Sequence, residues 1–175
     1  MRNGFGTLLN FVRVERLRSW RCQASMKSDY EISTDPTRLD ISLIHDFLAN
    51  SYWARGIPRS VVERSIKHSL AFGAYNDARQ VGFARVTTDF ATVAYIGDVF
   101  VIPEHRGRGV SKLLLQAILS HPELQGLRRW FLATRDAHGL YSQFNFQPLA
   151  APELFMSIHN SDVYQQAQEP SGNGS

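Results

Sequence analysis

Residues 98–111 combine the end of an apolar stretch, a turn rich in glycine and arginine, and the start of an apolar helical pattern. Gly107 and Gly109 lack a Cβ, so the backbone of this turn can approach a ligand closely. The first amides of a helix have no carbonyl partner and lie at the positive end of the helix dipole. Arg106 and Arg108 add full positive charges beside those amides. The run therefore predicts an anion site suited to a phosphate group.

The same turn has two competing interpretations, a dinucleotide-binding fingerprint and a plain helix start. The fingerprint needs a third glycine, where this chain has Lys112, and it needs an early strand–helix–strand unit. A P-loop is excluded because the pattern GxxxxGK followed by Ser or Thr does not occur. A glycine-rich helix start that binds nothing stays the alternative to the phosphate site.

Hydrophobic periodicity predicts the elements that position this turn. A spacing of two predicts three consecutive strands, most simply joined as an antiparallel meander. In order, the predicted elements are a strand at 30–33, helices at 39–48 and from Pro58, strands at 71–75, 80–88 and 92–102, a helix from Val110 to before Pro122, a strand at 129–134, a short helix at 136–144 and a last strand at 154–158. This order predicts a single-domain α/β fold with a mixed, mostly antiparallel central sheet flanked by helices.

Composition places the chain among globular proteins. Of its 175 residues 43% are hydrophobic and 20% charged, which suits one domain with a sizeable core. The single cysteine, Cys22, excludes an internal disulfide and a cysteine-based zinc site, and His105 and His138 are not at metal-ligand spacing. No apolar run approaches the roughly 18 residues of a membrane span. We therefore expect a cytoplasmic protein that uses no metal and binds no membrane.

The basic character of the chain is concentrated at its start. The formal net charge is +3, but residues 1–25 hold five arginines and one acid. The rest has 14 basic and 15 acidic residues, which does not favour a nucleic-acid-binding face. Residues 1–25 are interpreted as sequence upstream of a true start at Met26, a disordered extension or a targeting segment. The expected organisation is this leader, a domain at 26–164 and a disordered tail at 165–175.

The glycine-rich turn resembles motif A of the GNAT family (GCN5-related N-acetyltransferases), Gln/Arg-x-x-Gly-x-Gly/Ala. Residues 106–111 are Arg-Gly-Arg-Gly-Val-Ser, and Ser111 replaces the last glycine or alanine. In that family the pyrophosphate of acetyl-CoA binds the motif A amides, and its pantetheine arm pairs with the preceding strand. The resemblance thus implies acetyl-CoA as co-substrate, bound by Phe100, Val101, Ile102, Arg106, Gly107, Arg108, Gly109, Val110 and Ser111.

A second motif downstream strengthens this resemblance. The family commonly has Ala-x-x-x-Tyr-x-x-x-Gly-Phe, and here Tyr141 and Phe146 match, while Asn145 replaces the glycine. Asn tolerates the same left-handed backbone. Thr134 stands where the family often has an Asn that contacts the CoA arm. The resemblance extends over about residues 30–158 and includes the order of elements.

The resemblance implies acetyl transfer to a primary amine, of a small molecule or a protein, by direct attack in a ternary complex. A backbone N–H near Phe100–Val101 would stabilise the oxyanion. Tyr141, a phenol protonated at neutral pH, would protonate the departing thiolate. Asp98, an acid in an otherwise apolar strand, is the candidate base, because burial would raise its pKa. The alternatives are a Tyr141 that only packs and an Asp98 carboxylate satisfied by amides or an arginine.

The acceptor pocket is expected under the loop that follows the first predicted helix. Tyr52, Trp53 and Arg55 in that loop, with Tyr95, are the candidate acceptor-binding residues. Arg55 would bind a carboxylate of a small amine, and the alternative is a loop whose aromatic residues cover the core. A non-catalytic acyl-CoA-binding module is the alternative function, and an interaction protein acting through its Arg-rich leader is a third. A homodimer is compatible with the sequence.

Overall fold

Five strands form one sheet in the spatial order β1-β2-β3-β4-β5. The computed structural model describes residues 29–166. The strands are β1 (Tyr30–Ser33), β2 (Leu70–Asn76), β3 (Arg79–Thr88), β4 (Val93–Val101) and β5 (Arg129–Leu132). The helices are α1 (Ile41–Ala49), α2 (Arg59–Lys67), α3 (Val110–Ser120), α4 (His138–Tyr141) and α5 (Val163–Gln166).

The first four strands form an antiparallel meander, and β5 returns parallel to β4 after α3. The predicted mixed, mostly antiparallel sheet flanked by helices is therefore confirmed. The return is parallel because α3 carries the chain back along the sheet, which a tight hairpin could not do.

The hydrophobic core lies between the sheet and the helices. Strands β2 and β3 are buried along most of their length, and α3 buries Val110, Leu114 and Ile118 at helical spacing, as predicted. Helix α1 packs on β4 through Phe47, whose ring stacks on Phe100 with centroids 3.9 Å apart. This contact places the loop after α1 beside the second half of β4.

Strand β4 carries a bulge at its middle. Arg85 of β3 pairs with Gly97 while Phe83 pairs with Phe100, so β4 has one residue more than β3 over this stretch. Asp98 lies in the bulge with φ at 54°, in the left-handed region that a non-glycine residue rarely adopts. The bulge turns the second half of β4 away from its original course.

Strands β4 and β5 pair along only part of their length. Their parallel register runs from Val93 with Arg129 to Ile96 with Leu132 and then ends. Beyond that point, within residues 29–166, the edge of β4 that faces away from β3 has no strand beside it. The sheet therefore opens into a gap at residues 97–101.

The predicted strand at 154–158 is wrong. A 3-10 turn spans Pro152–Leu154, and the chain after it pairs with no strand of the described residues. Met156 and Ile158 are fully exposed. Apolar alternation favours a strand only where a sheet edge receives it, and this segment does not lie on one.

Residues 1–28 and 167–175 lie outside the described residues. The predicted leader, Cys22, the proposed start at Met26 and most of the predicted tail therefore receive no structural account. Of the helices found between residues 29 and 166, none combines the length and the apolar character needed to cross a membrane.

Candidate active site

The turn before α3 has the backbone that its two glycines permit. Gly107 and Gly109 have φ of 73° and 83°, and Gly109 is the residue that caps α3. A Cβ at either position would meet no atom within 4 Å, so the backbone conformation rather than crowding requires glycine. The amides of Val110 and Ser111 begin the helix without an i−4 carbonyl partner. The turn thus presents open space in front of helix amides, the arrangement expected for a phosphate site.

Arg106 ties this turn to the end of β4. Its Nε donates to the carbonyl oxygen of Val101 at 2.9 Å, and its own amide donates to Pro103. Arg106 and Arg108 are both exposed at the turn. The Arg106 side chain therefore helps to hold the turn against β4. The side chains of Arg106 and Arg108 also place positive charge next to the helix amides.

The residues that end β4 offer their backbone rather than their side chains. Phe100, Val101 and Ile102 are each no more than 5% exposed, because their side chains enter the core. The amide of Ile102 donates to Val81 at 2.9 Å. Apart from the Val101 carbonyl, which accepts from Arg106, the edge of residues 97–101 has no strand beside it within residues 29–166, so its main chain can pair with an extended ligand as an added strand would.

A cavity of about 530 Å³ lies in the gap between β4 and β5. Four parts of the chain form its walls: the loop after α1, the neighbouring strands β3 and β4, the segment from β5 to α4, and α5. Its polar and aromatic lining residues are Tyr52, Trp53, Arg85, Tyr95, Asp98, Thr134, Arg135, Asp136, Tyr141 and Tyr164. The cavity is therefore bordered by five aromatic side chains and by charges of both signs.

The Asp98 carboxylate is held from two sides. The Arg85 guanidinium forms an ion pair with one oxygen, and the Trp53 indole N–H donates to the other at 3.2 Å. The Asp98 side chain is only 12% exposed. Of the two sequence interpretations, this contact favours a carboxylate satisfied by an arginine.

Tyr141 is a buried phenol at the wall of the cavity. It is 8% exposed, and burial, with smaller effects from Tyr52, Tyr95 and Asp136, raises the pKa of its hydroxyl to about 12. Its ring packs edge-on against Phe146, and no hydrogen bond within residues 29–166 engages its hydroxyl. Tyr141 can therefore donate a proton at neutral pH.

Thr134 positions the segment that carries Tyr141. Its hydroxyl oxygen accepts from the amide of Ala137 at 3.0 Å, immediately before α4. Thr134 and Tyr141 both line the cavity. At the other end of this segment, Asn145 has φ at 66°, so it takes the left-handed backbone expected of it.

Tyr52 and Arg135 close one side of the cavity. The Arg135 guanidinium lies 3.8 Å from the centre of the Tyr52 ring, and the Arg135 amide donates to the Tyr52 hydroxyl at 3.3 Å. Arg55, in contrast, is exposed and is absent from the cavity lining. The arginine that borders this cavity beside Tyr52 is Arg135, which the sequence did not single out.

The chain matches the acetyltransferase (GNAT) family over residues 37–146. It is also 31% identical over 140 residues to a candidate acetyltransferase of Gibberella zeae, covering 67% of this chain and 78% of that protein. The chain belongs to the GNAT acetyltransferase family. The family resemblance found in residues 106–111 and 137–146 is thereby confirmed.

Solved structures of other proteins share this GNAT fold. The crystal structure of a candidate GNAT acetyltransferase from Xanthomonas campestris pv. campestris is 54% identical, covers 77% of this chain and 96% of its own, and superposes with a TM-score of 0.75. A candidate acetyltransferase from Clostridium acetobutylicum, solved with acetyl-CoA, is 15% identical over 74% of this chain and 94% of its own, with a TM-score of 0.55. The second likeness concerns the fold alone.

The GNAT fold brings most of the sequence-predicted residues to two neighbouring places. Six of them line the cavity: Tyr52, Trp53, Tyr95, Asp98, Thr134 and Tyr141. The turn of residues 106–111 lies just after the open stretch of β4 in the chain. Four further polar or aromatic lining residues escaped the sequence: Arg85, Arg135, Asp136 and Tyr164. Arg85 had a usable signal, a charge inside an apolar strand, whereas Arg135 and Tyr164 had none.

Proposed function

We propose that this GNAT chain transfers an acetyl group from acetyl-CoA to a primary amine, by direct attack within a ternary complex. One observation supports this most directly: the glycine turn and the Tyr141 cavity both adjoin the unpaired stretch of β4 at 97–101. A ligand lying along that stretch would have a phosphate site at one end and a proton donor at the other.

The residues present fit acetyl-CoA. The open space at Gly107 and Gly109 leaves room for a pyrophosphate against the amides of Val110 and Ser111, with Arg106 and Arg108 beside it. The main chain of residues 99–101 would pair with the amides of the pantetheine arm, since the amide of Ile102 is directed to Val81. Bound acetyl-CoA supplies a thioester carbonyl that a neutral amine can attack.

Tyr141 is the proposed general acid. A hydroxyl that holds its proton at neutral pH, with its side chain against a cavity, can deliver that proton to a departing thiolate. A backbone N–H of β4 near Phe100–Val101 would stabilise the oxyanion. Holding both substrates in one gap removes much of the entropic barrier to their reaction.

The proton lost by the attacking amine needs an acceptor. Asp98 is the cavity residue whose carboxylate was predicted to accept this proton. Protonation of that carboxylate would, however, remove the ion pair with Arg85. We therefore assign proton removal to water in the open cavity, and Asp98 to the orientation of Arg85 and Trp53. The Asp98→Asn variant distinguishes this positioning role from the base role predicted from the sequence.

The acceptor is a primary amine that enters past Tyr52, Trp53 and Tyr95. These three rings are each between 41% and 47% exposed, and they face the solvent side of the cavity. Aromatic faces suit an ammonium group or an apolar body. A small molecule and a lysine side chain are both compatible with a cavity of this size.

Calorimetric titration with acetyl-CoA tests the cofactor half of the proposal. Gly109→Asp adds a strained side chain and a negative charge at the phosphate site, so it should abolish micromolar binding. Gly126→Asp is the matched control, because Gly126 has φ at 76° and open space around it but lies in the loop before β5. Equal loss in both variants would contradict the phosphate site.

Release of free thiol in a screen of amines tests the catalytic half. Thiol release that depends on an amine, with a matching acetylated product, is expected. Acetyl-CoA binding without thiol release from any amine would instead identify a non-catalytic acyl-CoA-binding module. Absence of binding by the intact chain would reduce the assignment to a shared fold.

A further inference from the structure

Two charged side chains of the cavity beside β4 have no counter-charge in the described chain. The cavity is lined by two basic and two acidic residues, of which Arg85 and Asp98 pair with each other. Arg135 and Asp136 are neighbours in sequence, yet neither forms an ion pair within residues 29–166. A cavity that keeps one positive and one negative charge unpaired is complementary to a ligand that carries both.

The Arg135 guanidinium is held in place while its N–H donors stay available. It lies over the Tyr52 ring, 3.8 Å from the ring centre, and the Arg135 amide donates to the Tyr52 hydroxyl at 3.3 Å. This contact occupies a face of the guanidinium, whereas its five N–H groups lie in the guanidinium plane. No acceptor within residues 29–166 engages these groups. Arg135 therefore presents a fork that matches the two oxygens of a carboxylate.

The Asp136 carboxylate lies on the side of the cavity that holds the proposed acid. Burial does most to raise the pKa of the Tyr141 hydroxyl, and the negative charge of Asp136 adds to that rise. Within residues 29–166 the Asp136 carboxylate accepts no hydrogen bond. An amine arrives as its ammonium form at neutral pH. Asp136 is therefore placed to attract that ammonium to the end of the cavity where Tyr141 lies.

We propose that the acceptor is an amino carboxylate, a small molecule with a primary ammonium and a carboxylate, as in a free α-amino acid. Its ammonium binds beside Asp136 and Tyr141, and its carboxylate binds the N–H edge of Arg135. This inference rests on the proposed acetyl transfer and restricts the acceptor of that reaction. The carboxylate contact that the sequence predicted for Arg55 is thereby assigned to Arg135.

Other classes of amine use only part of this arrangement. A polyamine would place a second cation near Arg135, and like charges repel. A lysine side chain of a protein has a neutral alkyl chain next to its amine, so it would use Asp136 alone. An amino carboxylate uses both charges, and the half-exposed rings of Tyr52, Trp53 and Tyr95 remain available for its side chain. The cavity volume of about 530 Å³ is in the range of small-molecule sites.

Thiol release from acetyl-CoA with matched pairs of acceptors tests this inference. Each protein amino acid is compared with its own α-carboxamide, which keeps the amine and the side chain but lacks the negative charge. For the best acceptor, kcat/KM should be about tenfold higher for the amino acid than for its amide. Spermidine and a lysine peptide with a blocked amino terminus represent the other classes. Equal use of the amides, or a preference for spermidine or the peptide, would overturn the amino carboxylate and leave acetyl transfer intact.

Two variants separate the two charges. Arg135→Gln should raise the KM of the amino acid and change that of its amide little, so the preference within the pair disappears. Asp136→Asn should raise both KM values alike, because both members carry the ammonium. Arg55→Gln and Asp77→Asn are the matched controls, since both residues are exposed and lie outside the cavity lining. A preference that persists in Arg135→Gln, or an equal rise for acid and amide in that variant, would overturn the proposal.

Binding without turnover separates this inference from the proposed reaction. Ligand-observed NMR on protein saturated with CoA, which has no acetyl group to transfer, should detect the amino acid in the intact chain but not in Arg135→Gln. The same result without thiol release from any amine would support the amino carboxylate site and contradict acetyl transfer. Absence of both binding and thiol release would overturn both. Weaker acetyl-CoA binding by Arg135→Gln, measured by calorimetry, would assign the guanidinium to the cofactor and overturn the inference alone.

Discussion

Arg85 and Asp98 form an ion pair between β3 and β4 at the bulge that opens the sheet. Asp98 lies in left-handed backbone, and its carboxylate also accepts from the Trp53 indole. The pair thus connects the bulge to the loop after α1, which forms the solvent side of the cavity. The hydrogen bond that holds the Trp53 indole at this side of the cavity therefore depends on the Asp98 carboxylate.

Asp98→Asn separates a positioning role from a base role. Loss of the ion pair should lower stability by about 1–3 kcal/mol, since Arg85 is left partly buried without its counter-charge. The acceptor KM should rise, because Trp53 loses its anchor, while the acidic limb of the pH–rate profile keeps its midpoint. Disappearance of that limb in Asp98→Asn would instead identify Asp98 as the general base.

A double-mutant cycle supplies the control for this pair. Arg85→Met should destabilise the protein as Asp98→Asn does, and the double variant should lose less than the two single effects combined. A coupling free energy of about 0.5–3 kcal/mol is expected for residues in direct contact. If the two changes in the free energy of unfolding, measured by chemical denaturation, simply add, then Arg85 and Asp98 do not stabilise the protein as a pair.

Tyr141→Phe removes the proposed acid while keeping the ring that packs on Phe146. We expect kcat to fall about 100- to 10,000-fold, the range typical of general acid catalysis. Acetyl-CoA binding, measured by calorimetry, should change little, because the hydroxyl serves the transition state. A variant that turns over at the wild-type rate would show that Tyr141 only packs.

The raised pKa of Tyr141 predicts how the protein responds to alkali. Since the hydroxyl holds its proton to about pH 12, its ionisation should cause no fall in kcat up to about pH 10. The folded state binds this proton more tightly than the unfolded state. Its contribution to stability is therefore complete below the unfolded pKa near 10 and declines, by up to about 3 kcal/mol, as pH rises toward 12. Alkaline melting of Tyr141→Phe should lack this component.

Arg135→Ala should raise the acceptor KM about tenfold with little change in kcat. The substitution removes the guanidinium stacked on Tyr52, at the rim by which we propose that the acceptor enters. Arg55→Ala is the control, because Arg55 is exposed in the same loop as Tyr52 but does not line the cavity. A KM effect from Arg55 and none from Arg135 would restore the acceptor contact predicted from the sequence.

The hydrogen bonds of Asp89, in the turn before β4, predict that the protein loses stability in acid. Hydrogen bonds from the hydroxyl and amide of Thr92, and from the amides of Val93 and Ala91, hold the pKa of this carboxyl well below its usual range. Its stabilisation is present above the unfolded pKa near 3.9 and is lost as pH falls further. Asp89→Ala should lower the melting temperature at pH 7 but much less at pH 2. Asp77→Ala, in the turn between β2 and β3, is the control.

The parts of the fold that depend on local pattern could be predicted from the sequence. The meander, α3 and the glycine turn have their signals within a dozen neighbouring residues, and the structure confirms them. Leu154–Ile158 has the same kind of local signal, yet it forms no strand. Whether an alternating segment pairs depends on an edge elsewhere in space, and no local pattern reports that.

The charged residues of the site show the same limit. Asp98 was noticed because it interrupts an apolar strand, but its partner Arg85 lies 13 positions earlier, across a bulge. Pairing across strands depends on register, and a bulge changes register by one residue without an unmistakable sequence signal. Arg135 borders the cavity only because the chain after β5 returns beside Tyr52.

Thr134 and Tyr141 form a wall between the cavity beside β4 and a second cavity of about 360 Å³ that Trp130, Phe146 and Leu149 border, since each of the two residues lines both cavities. Occupancy of one cavity that shifts this wall alters the affinity of the other, and the effect must be equal in both directions. An apolar molecule in the second cavity would then change the affinity for acetyl-CoA, so detergents and other apolar additives would become a variable in every binding measurement.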